Sequence, residues 1–199
     1  EIIKDLDNLV KEMDKDYFHV EDVKYFGDLV ISKEEIEEMF NKHYEYMPLF
    51  RRSEKIKRII LSKIKDKRDE KVWELNEELR KEKEKLTPEE LLIEENNLEF
   101  RRKLRIREIV KEVMDSRAKL DSWISREDVL DIYDRFNGNK KEYTINDLAP
   151  ILYLAIKLEG KKATKDYRHV VIDEAQDYSP LQFKVVRELT GTKYFTVVG

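Results

Sequence analysis

The chain has 199 residues, with 40 Lys and Arg against 44 Asp and Glu, a net charge of −4, 42% charged and only 40% hydrophobic residues. That is long enough to bury a core, but the composition favours long solvated helices over one closely packed globule, and the overall charge does not announce a nucleic-acid binder. With no cysteine there can be neither a disulfide framework nor a thiolate metal site, and His19, His43 and His169 are scattered without ligand spacing.

Charge is unevenly spread. Residues 1–50 carry 6 basic and 14 acidic side chains, residues 51–120 carry 22 and 17, and residues 121–199 carry 12 and 13, giving nets of −8, +5 and −1. An acidic first part beside a basic middle predicts different surroundings for the two, or a match between them. The longest apolar run, residues 149–156, is far too short to cross a bilayer, and no signal-peptide pattern opens the chain. The cytoplasm is the expected compartment and no membrane partner is expected.

In chain order, Ile2, Ile3, Leu6, Leu9, Val10 and Met13 have helical spacing over residues 1–15. Residues 20–31 change character: Val23, Tyr25, Phe26, Leu29, Val30 and Ile31 flank Gly27-Asp28, a short hairpin or bent strand. Ser32 and Glu35 make a capping box for a helix to about residue 44, with Ile36, Met39 and Phe40 inward, and Pro48 marks the next break.

Residues 51–120 predict two long helices separated at Thr87-Pro88, where Thr87 is the cap, Pro88 suits the first turn and Glu90 completes the box. The first helix carries a narrow apolar stripe of Ile56, Ile59, Ile60, Ile64, Val72, Trp73, Leu75 and Leu79. The second carries Leu91, Leu92, Leu98, Leu104, Ile109, Val113, Met114 and Leu120. Such helices must pair with each other or lie on a partner domain, and a projecting helical arm is expected. Within the second, Arg101, Arg102, Lys103, Arg105 and Arg107 form a basic run. It reads either as a nucleic-acid or partner site able to neutralise phosphates, or as a solvated face that Glu99 and Glu108 partly compensate.

A further apolar stretch, Trp123, Ile124, Val129, Leu130, Ile132, Tyr133 and Phe136, ends at the turn signal Asn137-Gly138-Asn139. Asp147 then reads as the cap of the most apolar helix, 148–158, with Pro150 in its first turn and Gly160 stopping it. That helix is expected to pack on the strand Val170, Val171 and Ile172.

These three residues open the most informative stretch, His169 to Phe183, HVVIDEAQDYSPLQF. Three β-branched residues without alternation predict a strand covered on both faces of a parallel sheet. Asp173 and Glu174 follow at its carboxyl end, where open α/β sheets bind ligands. Ser179, Pro180 and Gln182 then read as a capping box, continued by Leu181, Phe183, Val185, Val186 and Leu189. An acidic turn after a core strand is the plain alternative for these acids.

The run Asp173-Glu174-Ala175-Gln176-Asp177 resembles the Walker B segment of the UvrD/Rep-type superfamily 1 helicases. With LAPILYLAIKLEG before it and YFTVVG after it, the stretch is most similar to the helicase-IV or HelD-like branch. The resemblance implies ATP and Mg2+ as cofactors, with Asp173 as the metal ligand, Glu174 orienting and deprotonating the attacking water, and Gln176 and Asp177 linking nucleotide state to movement. No phosphate-binding loop accompanies it. The only Gly-Lys pair, Gly160-Lys161, has Ala155 where the first glycine would stand and Lys162 where the hydroxyl residue would. As the chain opens on Glu1 and stops on a strand signature, the expectation is a fragment, inactive alone, that needs the remainder of the helicase chain.

The implied fold is α/β, part of a RecA-like P-loop NTPase motor domain with parallel strands and helices, plus a mainly α-helical insertion with long charged helices. Residues 1–50 would be a small α+β part of the insertion, 51–139 its helical arm and 140–199 part of motor domain 1A. The implied function is ATP-driven movement on DNA. The alternatives are a HelD-like factor whose insertion grips RNA polymerase, and a degenerate relative that keeps the acids as scaffold. The residues themselves leave these open.

Overall fold

The structure is a computed structural model that describes residues 1–123, 127–139, 142–165 and 167–199. Ile124, named above, lies outside the described residues. The chain is mostly helical and divides into two compact units, Glu1–His19 with Asn41–Glu54 and Ser125–Gly199, and Val20–Phe40 with Lys55–Ile124. Segments distant in sequence pack together within each unit.

The first unit contains α1 (Ile2–Asp16), the start of α3 (Leu49–Glu84), α5 (Val129–Phe136), α6 (Leu148–Glu159), β3 (Val170–Ile172), α7 (Pro180–Thr190) and β4 (Phe195–Val197). Its centre is α6, which packs against α7, α5 and α1 and buries Pro150, Tyr153, Leu154, Ala155, Ile156 and Leu158. The sequence reading placed α6 on the strand; its main neighbours are helices instead.

Polar groups tie α6 to its surroundings. The Tyr153 hydroxyl donates to the Asp7 carboxylate at 2.6 Å, and Lys184 Nζ lies 4.7 Å above the Tyr153 ring and 3.7 Å from Asp7. Burial first, then that bond to Asp7, pushes the Tyr153 phenol well above its ordinary range. Arg52, itself buried, donates to Asp14 at 2.7 Å and to the carbonyls of Glu45 and Met47 at 3.1 and 3.0 Å, fixing that loop to α1.

Asp147 stands at the N-cap position of α6, as expected, but its side chain makes no cap bond there. Its backbone is already helical, and a 3-10 turn, Ile145–Asp147, precedes α6. Its carboxylate accepts instead from the backbone N–H and hydroxyl of Thr144 at 2.7 and 2.8 Å and from Tyr133 at 2.5 Å, joining α5 to the entry of α6. The helix ends as expected at Gly160, at φ +67, where a Cβ would meet Pro48 Cγ at 2.8 Å.

The second unit holds the antiparallel hairpin β1 (Val23–Tyr25) and β2 (Asp28–Ile31), α2 (Lys33–Glu38), most of α3, and α4 (Pro88–Ser122). The helix expected to run to residue 44 leaves the α form at Glu38 and continues as a π turn over Met39–His43. Both predicted capping boxes are present, Ser32 with Glu35 and Thr87 with Glu90. Tyr25 pins the hairpin by donating to the Ile109 carbonyl at 2.9 Å, a buried bond.

The long helices bury single lines: Ile56, Ile60, Ile64 and Leu75 on α3, and Leu98, Ile109 and Leu120 on α4. An 11-residue spacing is three turns of a straight helix, so Leu98, Ile109 and Leu120 stay on one line. Arg101 donates to Glu82 at 2.5 Å and Arg102 to Asn76 at 3.1 Å, pairing α3 with α4. Four residues assigned to the stripes, Trp73, Leu92, Leu104 and Met114, are exposed. At 100° per residue Trp73 lies about 160° round the helix from Leu75, and Met114 about 140° from Ile109, so each pair cannot face the same way.

The parallel-strand core is also smaller than expected. Among the described residues the parallel strands are the pair β3 and β4, aligned Val170 to Phe195, Val171 to Thr196 and Ile172 to Val197. Only Ile172 of β3 is buried, and Val171 is 66% exposed, so the described residues do not cover the strand on both faces.

Candidate functional site

The order read from the sequence, strand then acids then helix, holds in the structure. Asp173 and Glu174 follow β3 directly, a 3-10 turn spans Ala175–Asp177, and Ser179 caps α7. Ser179 Oγ accepts from Gln182 N at 3.3 Å and Gln182 Oε1 accepts from Ser179 N at 2.7 Å, with Pro180 in the first turn. Leu181 and Val185 are the buried anchors of that helix. The helix begins where it does because the cap, the proline and the first apolar contact agree.

The turn is held at both ends by backbone. Val198 N–H donates to the Ile172 carbonyl at 3.0 Å, and Ala175 N–H donates to the Val198 carbonyl at 3.0 Å, extending the β3–β4 pairing past the last strand residue. Between them Glu174 adopts a left-handed backbone, φ +49 and ψ +46. For a residue with a Cβ this costs on the order of 1–3 kcal/mol and persists only where the surroundings over-determine it. Here the two flanking bonds, and the Asp173 Oδ1 that accepts from Glu174 N at 2.9 Å, do so.

Asp173, Glu174, Gln176 and Asp177 are all exposed. Gln176 Nε2 donates to Glu174 Oε2 at 2.5 Å, so the amide and the carboxylate of this short run already act as a pair. Neither that bond nor the left-handed turn was foreseen, since no residue type in the run demands a positive φ. Asp177 lies at the end of the 3-10 turn and lines a concavity of roughly 520 Å³ with Ile2, Asn146, Pro150, Ser179 and Leu181.

An exposed carboxylate pair at a strand end fits the water shell of a hard cation, which takes oxygen ligands. The remainder of a triphosphate site does not come from these residues: Gly160 serves as a helix stop, and no other Gly-Lys pair exists in the sequence. Among the described residues no group of three or more His, Asp or Glu is arranged to hold a metal.

The basic run on α4 does not form one patch. Helical geometry spreads residues 101–107 right round the axis. Arg101 is paired with Glu82, and Arg102 with Asn76 and, at 3.8 Å, with Glu99. Arg105 lines a cleft with Glu74, Glu78 and Glu108. Lys103 and Arg107 are exposed and have no ion pair within 4 Å among the described residues.

No helix among the described residues is long and apolar enough to cross a membrane. Comparison with protein families matches residues 4–199 to the UvrD/REP helicase N-terminal domain. No curated protein matches the chain. The family match does not single out the HelD-like branch.

Proposed function

From the premise that the chain belongs to the UvrD/REP helicase N-terminal domain family, and so to a UvrD-type superfamily 1 helicase, we propose that its β3–α7 turn carries the metal and water chemistry of an ATP-driven motor on DNA. The observation that carries this reading is the placement of two consecutive exposed carboxylates at the carboxyl end of a parallel strand, on a backbone fixed by the neighbouring strand.

In this reading Asp173, whose Oδ1 is oriented by the Glu174 N–H, would hold Mg2+ directly or through water. The chemistry the ion would supply there is neutralisation of charge on the nucleotide's terminal phosphates. Glu174 orients and deprotonates the attacking water, a task for a carboxylate within hydrogen-bond reach. Gln176 holds the Glu174 carboxylate in the resting turn and, with Asp177, passes its state on to neighbouring parts of the motor. The left-handed turn supports the assignment, because a constrained backbone keeps the two carboxylates in fixed relation.

The test is ATP turnover by the intact protein. Glu174→Gln should lower kcat by about 10²–10⁴-fold, the typical contribution of a general base, while leaving Mg-ATP binding within a few-fold. Asp173→Asn should raise the Mg2+ concentration needed for half-maximal turnover. Full turnover in Glu174→Gln would end the assignment.

A further inference from the structure

The helix α4 has a second organised face. Its buried line, Leu98, Ile109 and Leu120, lies on one side. On the opposite side Ile93, Phe100 and Leu104 are 78%, 59% and 41% exposed. Counting 100° per residue, these three fall within a sector about 40° wide, centred roughly 180° from the buried line. Scattered exposed apolar residues are ordinary, but a row at helical spacing marks an interaction surface.

The spacing also has a register. Ile93, Asn97, Phe100, Leu104, Arg107 and Lys111 alternate in steps of four and three, the d and a positions of a coiled-coil seam. The seam is apolar in its first half, apart from Asn97, and cationic in its second. All six are exposed, and Arg107 and Lys111 have no ion pair within 4 Å among the described residues.

The charge pattern selects the occupant. A parallel second copy would set Arg107 against Arg107 and Lys111 against Lys111, and an antiparallel copy in register would set Lys111 against Ile93 and Arg107 against Asn97. Either leaves seam charges unpaired at a helix–helix contact, which is costly. Nucleic acid would engage the two cations but gives Ile93 and Leu104 nothing to pack on. An amphipathic helix with apolar residues followed by carboxylates satisfies both halves.

We propose that this face of α4 is a coiled-coil docking surface for an acidic amphipathic helix of a partner protein, apolar opposite Ile93, Phe100 and Leu104 and carboxylate-bearing opposite Arg107 and Lys111. The surface does not depend on the nucleotide reading. Its length, from 93 to 111, matches about five turns of partner helix.

The full chain is titrated against two labelled synthetic amphipathic peptides of four heptads with Leu at a and d in the first two heptads and, at a and d in the last two, Glu in one peptide and Lys in the other, and against a short DNA duplex. The acidic peptide should bind at least about ten-fold more tightly than the basic one at low salt, with the difference shrinking as salt rises. The double variant Phe100→Ser, Leu104→Ser should weaken the acidic peptide at least ten-fold. The double variant Arg107→Glu, Lys111→Glu should reverse the preference, so that the basic peptide binds better. Such a reversal cannot arise from misfolding. Equal binding of the two peptides, binding of neither, or duplex binding that is lost in the charge variant and indifferent to Phe100 and Leu104 would overturn the proposal.

Discussion

The helices α6 and α4 solve burial in opposite ways. In 12 residues α6 buries Pro150, Tyr153, Leu154, Ala155, Ile156 and Leu158 against three other helices. In 35 residues α4 buries Leu98, Ile109 and Leu120. A helix covered on several sides has few replaceable positions, whereas one with a single buried line keeps most of its surface free for other work. The contrast predicts where substitutions hurt and where they only change what the protein can meet.

The largest expected effect is in α6. Leu154 is fully buried, so Leu154→Ala should cost about 2–5 kcal/mol, the lost transfer energy plus the cavity left behind. Phe100→Ala, on the exposed face of α4, should stay within about 0.5 kcal/mol. Denaturant midpoints at constant slope measure both. A similar loss in the two variants would mean that α4 is covered in solution and that the contrast fails.

Next comes Tyr153→Phe, which removes one hydroxyl and leaves Asp7 with Lys184 alone. A hydrogen bond to a charged group is worth about 1.5–3 kcal/mol. The effect also has a pH signature. The folded state holds the Tyr153 proton more tightly than the unfolded chain, so the associated stability is fully present below the ordinary tyrosine range, near pH 10, and is lost as pH rises above it. The variant should therefore lose less stability than the parent on going from pH 9 to 11. Parallel losses would show that Tyr153 does not sense its surroundings in this way.

The same two helices explain what was legible in the sequence. Rules that act within four residues were read correctly: the boxes Ser32/Glu35, Thr87/Glu90 and Ser179/Gln182, the hairpin about Gly27, the stop at Gly160, and the order of strand, acids and helix. Asp147 does stand at the cap of α6, but its carboxylate serves the earlier turn that starts at Thr144, a use that the cap pattern alone does not reveal. The box Asp128 with Asp131 was missed, although Asp-x-x-Asp ahead of an apolar run carries the same signal with a shorter acid.

What depended on distant partners was not legible. Trp73 and Met114 look like stripe members in any list of apolar residues, and only the angle set by the buried line excludes them. The run Val170, Val171 and Ile172 shows that a strand can be covered on both faces; the cover itself is a property of other elements, and Val171 is exposed here. The acids of the candidate site were found from chain order, but the left-handed Glu174 depends on Val198, which no local rule connects to it.

The smallest expected effect sharpens the contrast most. Thr87 and Ser179 form nearly identical boxes: Thr87 Oγ1 and Ser179 Oγ each accept at 3.3 Å, and the returning carboxylate and amide oxygens accept at 2.8 and 2.7 Å. Replacing either by Ala should cost its helix about 1 kcal/mol. The consequences should differ, because the first turn after Thr87 carries a half-buried Leu91 followed by exposed Leu92 and Ile93, while the first turn after Ser179 carries Leu181 buried. Thr87→Ala can therefore fray α4 without exposing a fully buried side chain, and Ser179→Ala cannot loosen α7 without drawing Leu181 with it. Hydrogen exchange should quicken over residues 90–93 in Thr87→Ala with little change in the global midpoint, whereas Ser179→Ala should lower the midpoint itself. Equal shifts in the midpoint would mean that the start of α4 is as firmly packed as that of α7, and that α4 is not the one-sided helix its burial describes.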